Sequence, residues 1–178
     1  VFGGSGFNGR HVVRRLAKEG AQVRVAVRDP ETANYLRLMG GVGQIVPVPT
    51  DINDPASVAR ALQGADQAVN LVGILFEAGK QRFQQVHTDA AASIADTSKT
   101  AGVRDLVHVS AIGADVKSDA LYAKTKGLGE AAVKKAFSGV TILRPSIVFG
   151  PEDGFFNLFA GMSRLAPVLP VFGCPAWP

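Results

Sequence analysis

Three glycines spaced three residues apart, Gly3, Gly6 and Gly9, lie between the apolar pair Val1-Phe2 and an amphipathic helical pattern. A strand, a glycine loop and a helix in this order can bind an anion, because the helix N-terminus carries partial positive charge. In such a loop Gly3 makes the tight turn, Gly6 lets backbone amides approach a pyrophosphate, and Gly9 lets the helix pack close to the sheet. Glycines alone are a weak signal, and the alternative is a turn that uses them only for packing.

The rest of the chain strengthens this signal by alternating strand patterns with helical patterns. Strands are predicted at residues 1–2, 23–27, 44–48, 68–72, 106–109 and 140–143, and helices between them, with starts at Asp29-Pro30 and Asp54-Pro55. Parallel strands need crossover connections, so the alternation predicts an α/β fold, a Rossmann-type doubly wound parallel sheet. Such sheets bind ligands at the carboxyl ends of their strands.

Both ends of the sequence indicate a longer protein. Val1-Phe2 is only the tail of a strand, and residues 165–178 are apolar and proline-rich, with no charge after Arg164. We therefore expect a cofactor-binding domain over residues 1–164 with a truncated first strand. Residues 165–178 would begin a C-terminal region whose substrate-binding part is missing. The alternative is an apolar tail that packs on its own domain.

Composition narrows the classes of function. The only cysteine, Cys174, excludes a disulfide framework and a cysteine-based zinc site. His11, His87 and His108 have no partners at metal-ligand spacing, so we expect them to be packing or surface residues and expect no metal. The net charge of +4 would favour nucleic acid, but the excess lies in residues 1–28. A dinucleotide explains that local excess, and no nucleic-acid partner is expected.

The end of the 23–27 strand decides which dinucleotide binds. A carboxylate there would bind the ribose of NAD(H), whereas an arginine would accept the 2′-phosphate of NADP(H). The residue at this point is Arg28, and Asp29 is better explained as the cap of the helix that begins at Pro30. NADP(H) is therefore favoured, and NAD(H) stays open. Asp51 and Ile52 follow the 44–48 strand and are expected to border the adenine.

Tyr122 and Lys126 are four residues apart, which places them on the same face of one helical turn. A cation beside a tyrosine lowers the pKa of the phenol toward the range of a general acid or base. Ser110 ends the 106–109 strand, and its hydroxyl would polarise a substrate carbonyl. The alternative is a half-buried tyrosine next to a surface lysine.

These motifs resemble the short-chain dehydrogenase/reductase superfamily in its extended and atypical branches. The resemblance is carried by Gly3 to Gly9, Asn70 to Gly73, Tyr122 to Lys126, and Arg144-Pro145-Ser146 with Phe149-Gly150. It implies that Tyr122 is the catalytic acid or base, that Lys126 binds the nicotinamide ribose, and that Ser110 assists. It also implies a set of further cofactor contacts, namely Ser5, Phe7, Leu71, Val72, Gly73 and Pro145.

A narrower resemblance points to the NADPH-binding accessory subunit of respiratory complex I and its bacterial relatives. It is carried by residues 39–45, 69–74, 107–110 and 149–157. It implies an accessory or assembly role, with complex I subunits or the membrane surface as partners through the C-terminal region. The location would be cytoplasmic or peripheral on the inner membrane, on the matrix side in a eukaryote.

Three departures from these families affect the interpretation. The mitochondrial members of the narrower group generally lack an intact Tyr and Lys tetrad, whereas this chain keeps Tyr122 and Lys126. Ala111 stands where many extended members have a second serine, and Asn8 replaces an apolar residue of the glycine loop. The retained tetrad keeps a second hypothesis open, an active NADP-dependent reductase or epimerase acting on a small carbonyl or nucleotide-sugar substrate.

Overall fold

Parallel strands run through the first part of the chain, as the alternation of patterns predicts. The computed structural model describes residues 1–79, 81–154 and 156–165. Its strands are β1 (Val23–Val27), β2 (Ile45–Pro49), β3 (Gln67–Asn70), β4 (Asp105–Val109) and β5 (Thr141–Leu143). β1 pairs with β2, β3 with β4, and β4 with β5, and every one of these pairs is parallel.

Phe2 joins the two halves of the sheet. It forms parallel bridges with Ala26 of β1 and Asn70 of β3. Its N–H donates to the Val69 carbonyl at 2.8 Å, and its carbonyl accepts from the Leu71 N–H at 3.0 Å. The sheet order is therefore β2-β1-Phe2-β3-β4-β5, with the strand predicted at residues 1–2 at the centre. This is the doubly wound order, in which the direction of winding reverses at the strand that leads into the glycine loop.

Helices connect the strands, and two of them differ in kind from the prediction. They are α1 (Phe7–Lys18), a 3₁₀ helix (Glu31–Met39), α2 (Pro55–Leu62), a π-helical turn (Gln84–Asp89) that continues into α3 (Ala90–Thr100), α4 (Leu121–Ala136) and α5 (Phe156–Leu165). Ala33, Leu36 and Met39 pack on the core at a spacing of three residues, which matches the three-residue turn of a 3₁₀ helix. The predicted start at Asp54-Pro55 is confirmed, since the Asp54 carboxylate accepts from the Ala56 N–H at 3.0 Å.

Two clusters of buried side chains cover the two faces of the sheet. Val25 and Ala26 are neighbours in β1 but belong to different clusters, because successive strand residues point to opposite faces. One cluster contains Val13, Ala17, Val23, Val25, Val27, Ala33, Leu36 and Ile45. The other contains Phe2, Ala26, Val58, Leu62, Ala68, Ala91, Ile94, Ala95, Val103, Leu106, Val133 and Phe137. Helices thus pack on both faces, which confirms the predicted doubly wound α/β class.

The chain divides into two compact units, Val1–Ser146 and Ile147–Pro178. A cofactor-binding domain over residues 1–164 stays a prediction. In the second unit the Asp153 carboxylate accepts from the Phe156 N–H at 2.6 Å and caps α5. Residues 166–178, where the C-terminal expectations fall, lie outside the described residues. In the described ranges, no helix combines the length and the apolar character that crossing a membrane requires.

Candidate functional site

The glycine loop ends in a helix whose first amides are available to a ligand. Gly3 has a positive φ of 73°, and its carbonyl accepts from the Gly6 N–H at 3.1 Å. Gly6 is the N-cap of α1, no side chain caps this helix end, and its first turn contains no acidic residue. Amides that are left without acceptors at a helix N-terminus bind phosphate well. The loop therefore fits a pyrophosphate.

The three glycines serve different purposes in this loop. A Cβ on Gly9 would collide with the Gly3 carbonyl oxygen and lie 2.6 Å from the Gly4 Cα. A Cβ on Gly3 would lie 3.1 Å from the Val72 backbone nitrogen, so this glycine lets the loop lie against the end of β3. A Cβ on Gly6 would meet nothing closer than the Gly3 oxygen at 3.4 Å. The protein itself thus requires Gly3 and Gly9, whereas the space beside Gly6 is open.

Tyr35, which the sequence analysis did not single out, fastens the loop from the 3₁₀ helix. Its hydroxyl donates to the Ser5 carbonyl at 2.9 Å. The Arg10 guanidinium lies over its ring, 5.4 Å from the centroid, which is a cation–π distance. The conformation of the predicted phosphate loop is therefore supported by a side chain thirty residues away along the chain.

The end of β1 presents an arginine, as predicted. Arg28 is exposed and has no hydrogen-bond or ion-pair partner among the described residues. The Asp29 carboxylate accepts from the Glu31 N–H at 3.0 Å, so it caps the following turn, in agreement with the prediction. The Asp51 carboxylate accepts from the Asn53 N–H at 2.9 Å and organises its own loop, while Ile52 packs against the core. Of these groups, Arg28 is the one left available to a phosphate.

The basic residues near the N-terminus do not all face this site. Arg24 donates to the Ala61 and Gln63 carbonyls at 3.1 and 2.6 Å, beside a cavity at the amino ends of the strands. Arg15 forms an exposed salt bridge with Glu19 at 2.7 Å. The charge excess in residues 1–28 is therefore only partly explained by a dinucleotide. The cavity lies at the opposite strand ends from the glycine loop, so we do not assign it to the cofactor.

The segment after β3 brings several predicted contacts together. The Val72 N–H donates to the Asn70 side-chain oxygen at 3.0 Å, which holds Leu71-Val72 beside the glycine loop. Gly73 is exposed, and a Cβ at this position would lie 3.5 Å from the Lys126 ammonium nitrogen. The structure thus places Leu71-Val72 beside the glycine loop and Gly73 beside Lys126.

Lys126 is buried, and its Nζ donates to the Val109 carbonyl at 3.2 Å. Burial lowers the pKa of this ammonium to about 8, although the Glu130 carboxylate acts in the opposite direction. Tyr122 is half-buried, and its ring packs edge-on against Phe83 and His87 at centroid distances of 5.7 and 5.3 Å. Both predicted residues lie on α4, but only Tyr122 is partly accessible.

The expected effect of Lys126 on Tyr122 is not found. Burial raises the pKa of the Tyr122 phenol, and Lys126 makes no contribution that lowers it. The physical reason is that the Lys126 ammonium is directed to the Val109 carbonyl, while the phenol ring is packed against two other rings. Tyr122 is therefore a neutral phenol at neutral pH, which is the form that donates a proton.

Ser110 is buried at the end of β4, and its N–H donates to the Leu143 carbonyl at 2.8 Å. Its hydroxyl lies near enough to the Glu130 carboxylate to lower the pKa of that acid, without reaching full hydrogen-bond geometry to any described residue. A carbonyl-polarising role needs a hydroxyl that substrate can reach. The burial of Ser110 favours a role in holding α4, and its catalytic role stays a prediction.

His87 and His108 are buried, as the packing interpretation expected. His87 Nε2 accepts from the Ile74 N–H at 3.1 Å, and its Nδ1 lies 3.2 Å from the Thr125 hydroxyl. His108 Nδ1 lies 3.2 Å from the Asn70 amide. Burial lowers the pKa of both imidazoles to about 4, so both are neutral. The described residues contain no cluster of three or more metal-ligating side chains.

The sheet is doubly wound, and the uncapped N-terminus of α1 follows the glycine loop at the point where the strand order reverses. Lys126 lies close by, next to Gly73. These features define a dinucleotide-binding protein of the Rossmann type. Residues 3–154 match the family described as NAD(P)H-binding. Because this match covers most of the sequence, the chain belongs to that family, and its domain binds NAD(P)H.

Comparison with curated proteins gives more specific relatives. The chain is 40% identical over 161 residues to the mitochondrial NADH dehydrogenase (ubiquinone) 1 alpha subcomplex subunit 9 of Rattus norvegicus, covering 90% of this chain and 43% of that protein. The subunit 9 of Dictyostelium discoideum is 36% identical over 171 residues, 96% of this chain and 48% of that protein. The ceramide reductase of Caulobacter vibrioides is 33% identical over 175 residues, 96% and 52% of the two chains. The chain therefore spans about half the length of these relatives.

Solved structures agree on the fold. UDP-glucuronic acid 4-epimerase of Bacillus cereus, in complex with NAD, gives a TM-score of 0.72 at 20% identity and covers 92% of this chain and 62% of its own. The triphenylmethane reductase of Citrobacter, in complex with NADP(H), gives 0.69 at 20% identity, with coverages of 92% and 54%. These structures confirm the predicted fold.

Proposed function

We propose that this chain is the cofactor-holding part of an accessory or assembly subunit of respiratory complex I, NADH:ubiquinone oxidoreductase, and that it holds NADPH. The observation that carries the proposal is the similarity to complex I subunits along 90 to 96% of the chain, and the uncapped α1 N-terminus behind the glycine loop supports it. Other complex I subunits would be its partners. The protein would then lie peripherally on the inner membrane, on the matrix side in a eukaryote.

The residues at the carboxyl ends of the strands support specific assignments for the cofactor. The α1 N-terminus beside Gly6 would hold the pyrophosphate, because its amides have no capping side chain. Arg28 would bind the 2′-phosphate, because it is exposed and unpaired at the strand end that reads this group. Lys126 would reach the nicotinamide ribose past Gly73. The remaining proposed contacts are Gly3, Ser5, Phe7, Gly9, Asp51, Ile52, Leu71, Val72, Tyr122 and Pro145.

The preference for NADPH is tested by reversing the charge of Arg28. Arg28→Asp should weaken NADPH binding by about 10- to 100-fold, because a charge-assisted hydrogen bond contributes about 1.5 to 3 kcal/mol. NADH binding should change little. Arg14→Asp is the matched control, since Arg14 is exposed on α1 and gives the same change in net charge. Fluorescence titration with both nucleotides measures the effect, and equal losses for NADPH and NADH would contradict the assignment.

The accessory role is tested with the full-length protein in its own host. Deleting the gene should reduce the amount of assembled complex I on native gels, and the wild-type gene should restore it. A variant with Tyr122→Phe should restore assembly equally well, because holding the cofactor does not require proton transfer. Normal assembly and activity of complex I in the deletion strain would contradict the proposal.

A second candidate function is an active reductase or epimerase, and the state of Tyr122 favours it. Reduced nicotinamide, when bound, supplies a hydride to a carbonyl carbon. The neutral Tyr122 phenol would donate its proton to the carbonyl oxygen, and Lys126 would hold the nicotinamide ribose. NADPH oxidation with small carbonyl substrates that Tyr122→Phe abolishes, without loss of NADPH binding, would support this function. Absence of turnover by a protein that holds NADPH tightly would contradict it.

A further inference from the structure

His87 lies where the π-helical turn, the loop after β3 and α4 meet. It belongs to the π-helical turn Gln84–Asp89, and it is 1% exposed. Its Nε2 accepts from the Ile74 N–H at 3.1 Å, in the loop after β3. Its Nδ1 lies 3.2 Å from the Thr125 hydroxyl on α4. π-helical turns occur frequently at functional sites, and a buried polar group with its partners in place rigidifies its surroundings.

The hydrogen bonds of His87 run in one consistent direction. A backbone N–H can only donate, so Nε2 is an acceptor, and the neutral ring carries its proton on Nδ1. The Nδ1–H therefore donates to the Thr125 oxygen. The Thr125 hydroxyl in turn donates to the Leu121 or the Tyr122 carbonyl, at 2.9 and 3.1 Å. A directed series of hydrogen bonds thus joins the loop after β3 to the first turn of α4.

Packing holds α4 against the same π-helical turn. The Thr88 hydroxyl donates to the Thr125 carbonyl at 3.1 Å. A Cβ on Gly129 would collide with the His87 carbonyl, so glycine at this position lets α4 approach the turn closely. The Tyr122 ring lies edge-on to the His87 ring at a centroid distance of 5.3 Å. The position of the Tyr122 phenol is therefore set by the π-helical turn as well as by α4.

The loop that His87 holds on its other side is the one that approaches Lys126. A Cβ on Gly73 would lie 3.5 Å from the Lys126 Nζ and 3.8 Å from the His87 Nε2. The hydrogen bond from the Ile74 N–H therefore fixes the loop directly beside Gly73, one of the proposed cofactor contacts. Because His87 is almost fully buried, it acts on a ligand through these neighbours and not by direct contact.

We propose that His87 is a positioning residue that holds the loop at Gly73-Ile74 and the first turn of α4, with Tyr122, at a fixed separation. The use of this separation to hold the nicotinamide half of NADPH rests on the proposed function, whereas the hydrogen-bonded link itself does not. The link depends on the acceptor at Nε2 and on the donor at Nδ1. An aromatic ring of similar shape does not replace it.

The link is tested by NMR on the full chain without cofactor. The ¹⁵N signals of the His87 ring, assigned with His87→Gln, should show a proton on Nδ1 and none on Nε2. His87→Phe keeps an aromatic ring but removes both hydrogen bonds, so the Ile74 amide should exchange about 2- to 10-fold faster. The Leu71 amide, which donates to the Phe2 carbonyl, should not change and reports global opening.

Three results would overturn the proposal. They are a wild-type ring protonated on Nε2, an Ile74 amide that is unaffected in His87→Phe, and equal acceleration of the Ile74 and Leu71 amides. His87→Gln should restore protection of the Ile74 amide, because the glutamine side-chain oxygen can accept near the position of Nε2. Equal loss of protection in His87→Gln and His87→Phe would also count against the proposal.

Thr125→Val breaks the link at its other end and decides alone if His87→Phe does not fold. Valine keeps the shape of threonine but gives the Nδ1–H no acceptor, so the Ile74 amide should again exchange faster. Thr100→Val is the matched control, because the Thr100 hydroxyl also donates to the carbonyl four residues earlier, at 3.0 Å, but on α3 and exposed. The same Ile74 exchange rate in Thr125→Val and Thr100→Val would overturn the proposal.

Nucleotide binding gives the second readout. NADPH affinity of His87→Phe should fall by about 5-fold or more, the lower end of typical couplings between two sites, and His87→Gln should restore it. The affinity for 2′,5′-ADP, which lacks the nicotinamide half, should stay at the wild-type value. Equal losses for both nucleotides would overturn the assignment of His87 to the nicotinamide half. A wild-type chain that binds no NADPH would contradict the proposed function, while Ile74 exchange would still test the link.

Discussion

Alanine substitutions at Gly6 and Gly9 separate the binding role of the glycine loop from its packing role. Both positions have negative φ angles, so alanine is allowed by the backbone at each. They differ in what the added methyl group meets. At Gly9 it meets the Gly3 carbonyl and the Gly4 Cα, which are backbone atoms of the glycine loop and cannot move aside easily. At Gly6 it enters open space.

The magnitudes follow from these surroundings. Forcing a methyl group into a filled site costs about 1 to 3 kcal/mol, so Gly9→Ala should lower the unfolding temperature of a chain of this length by about 2 to 12 °C. For Gly6→Ala, the smaller entropy of the unfolded chain stabilises by about 0.4 to 1 kcal/mol, and the poorer N-cap costs a similar amount. Its stability should therefore change little, while its methyl group blocks the pyrophosphate and weakens NADPH binding by about 10- to 100-fold.

Thermal unfolding without nucleotide measures the first effect, and fluorescence titration with NADPH measures the second. Gly43→Ala is not a suitable control because Gly43 has a positive φ, but Gly154→Ala adds a methyl group in open space without such strain. Wild-type affinity in Gly6→Ala would refute the phosphate-loop assignment. An unchanged unfolding temperature in Gly9→Ala would refute the packing argument.

Three further predictions follow from contacts in the first unit. Tyr35→Phe removes the hydrogen bond to the Ser5 carbonyl and should cost about 1 kcal/mol of stability and several-fold in NADPH affinity, measured by urea unfolding and titration; equal affinities would show that the loop does not need this support. Gly129→Ala should destabilise strongly, because its Cβ would collide with the His87 carbonyl; an unchanged urea midpoint would contradict this. The free energy of unfolding should be highest above pH 6.5 and fall as the pH drops toward 4. The reason is that His87 and His108 take up protons near pH 6.5 in the unfolded chain, whereas burial lowers their pKa values to about 4 in the folded protein. His108→Asn should weaken this pH dependence, and an unchanged slope would contradict the prediction.

Strand ends and caps could be predicted from the sequence because they depend on local signals. An exposed Arg28 is predicted from the end of the alternating strand, and the capping role of Asp29 is predicted from the proline that follows it. In the structure Arg28 is exposed after β1, and the Asp29 carboxylate accepts from the Glu31 N–H. The glycine loop could be predicted from its position between a strand and a helix. In each case the relevant atoms are a few residues apart, so spacing alone fixes which groups meet.

Contacts between distant residues could not be predicted in this way. The hydroxyl of Tyr35 and the carbonyl of Ser5 meet only because the 3₁₀ helix returns to the glycine loop. The pKa of Tyr122 was expected to be lowered by Lys126, but the direction of the lysine side chain and the burial of the phenol decide it. The position of the Ser110 hydroxyl near the Glu130 carboxylate likewise depends on how α4 packs over β4.

Phe2 has a consequence for how the two halves of the sheet hold together. The backbone hydrogen bonds that tie β1 to β3 pass through Val1 and Phe2, since Ala26 donates to the Val1 carbonyl at 2.9 Å and Phe2 pairs with the strand end on the other side. The side chains of Phe2 and Ala26 also belong to one buried cluster with Ala68 and Leu106, so apolar packing as well as backbone pairing couples the β1–β2 half to the β3–β5 half. The amide protons of Ala26 and Leu71, which donate to Val1 and Phe2, should therefore exchange slowly and together.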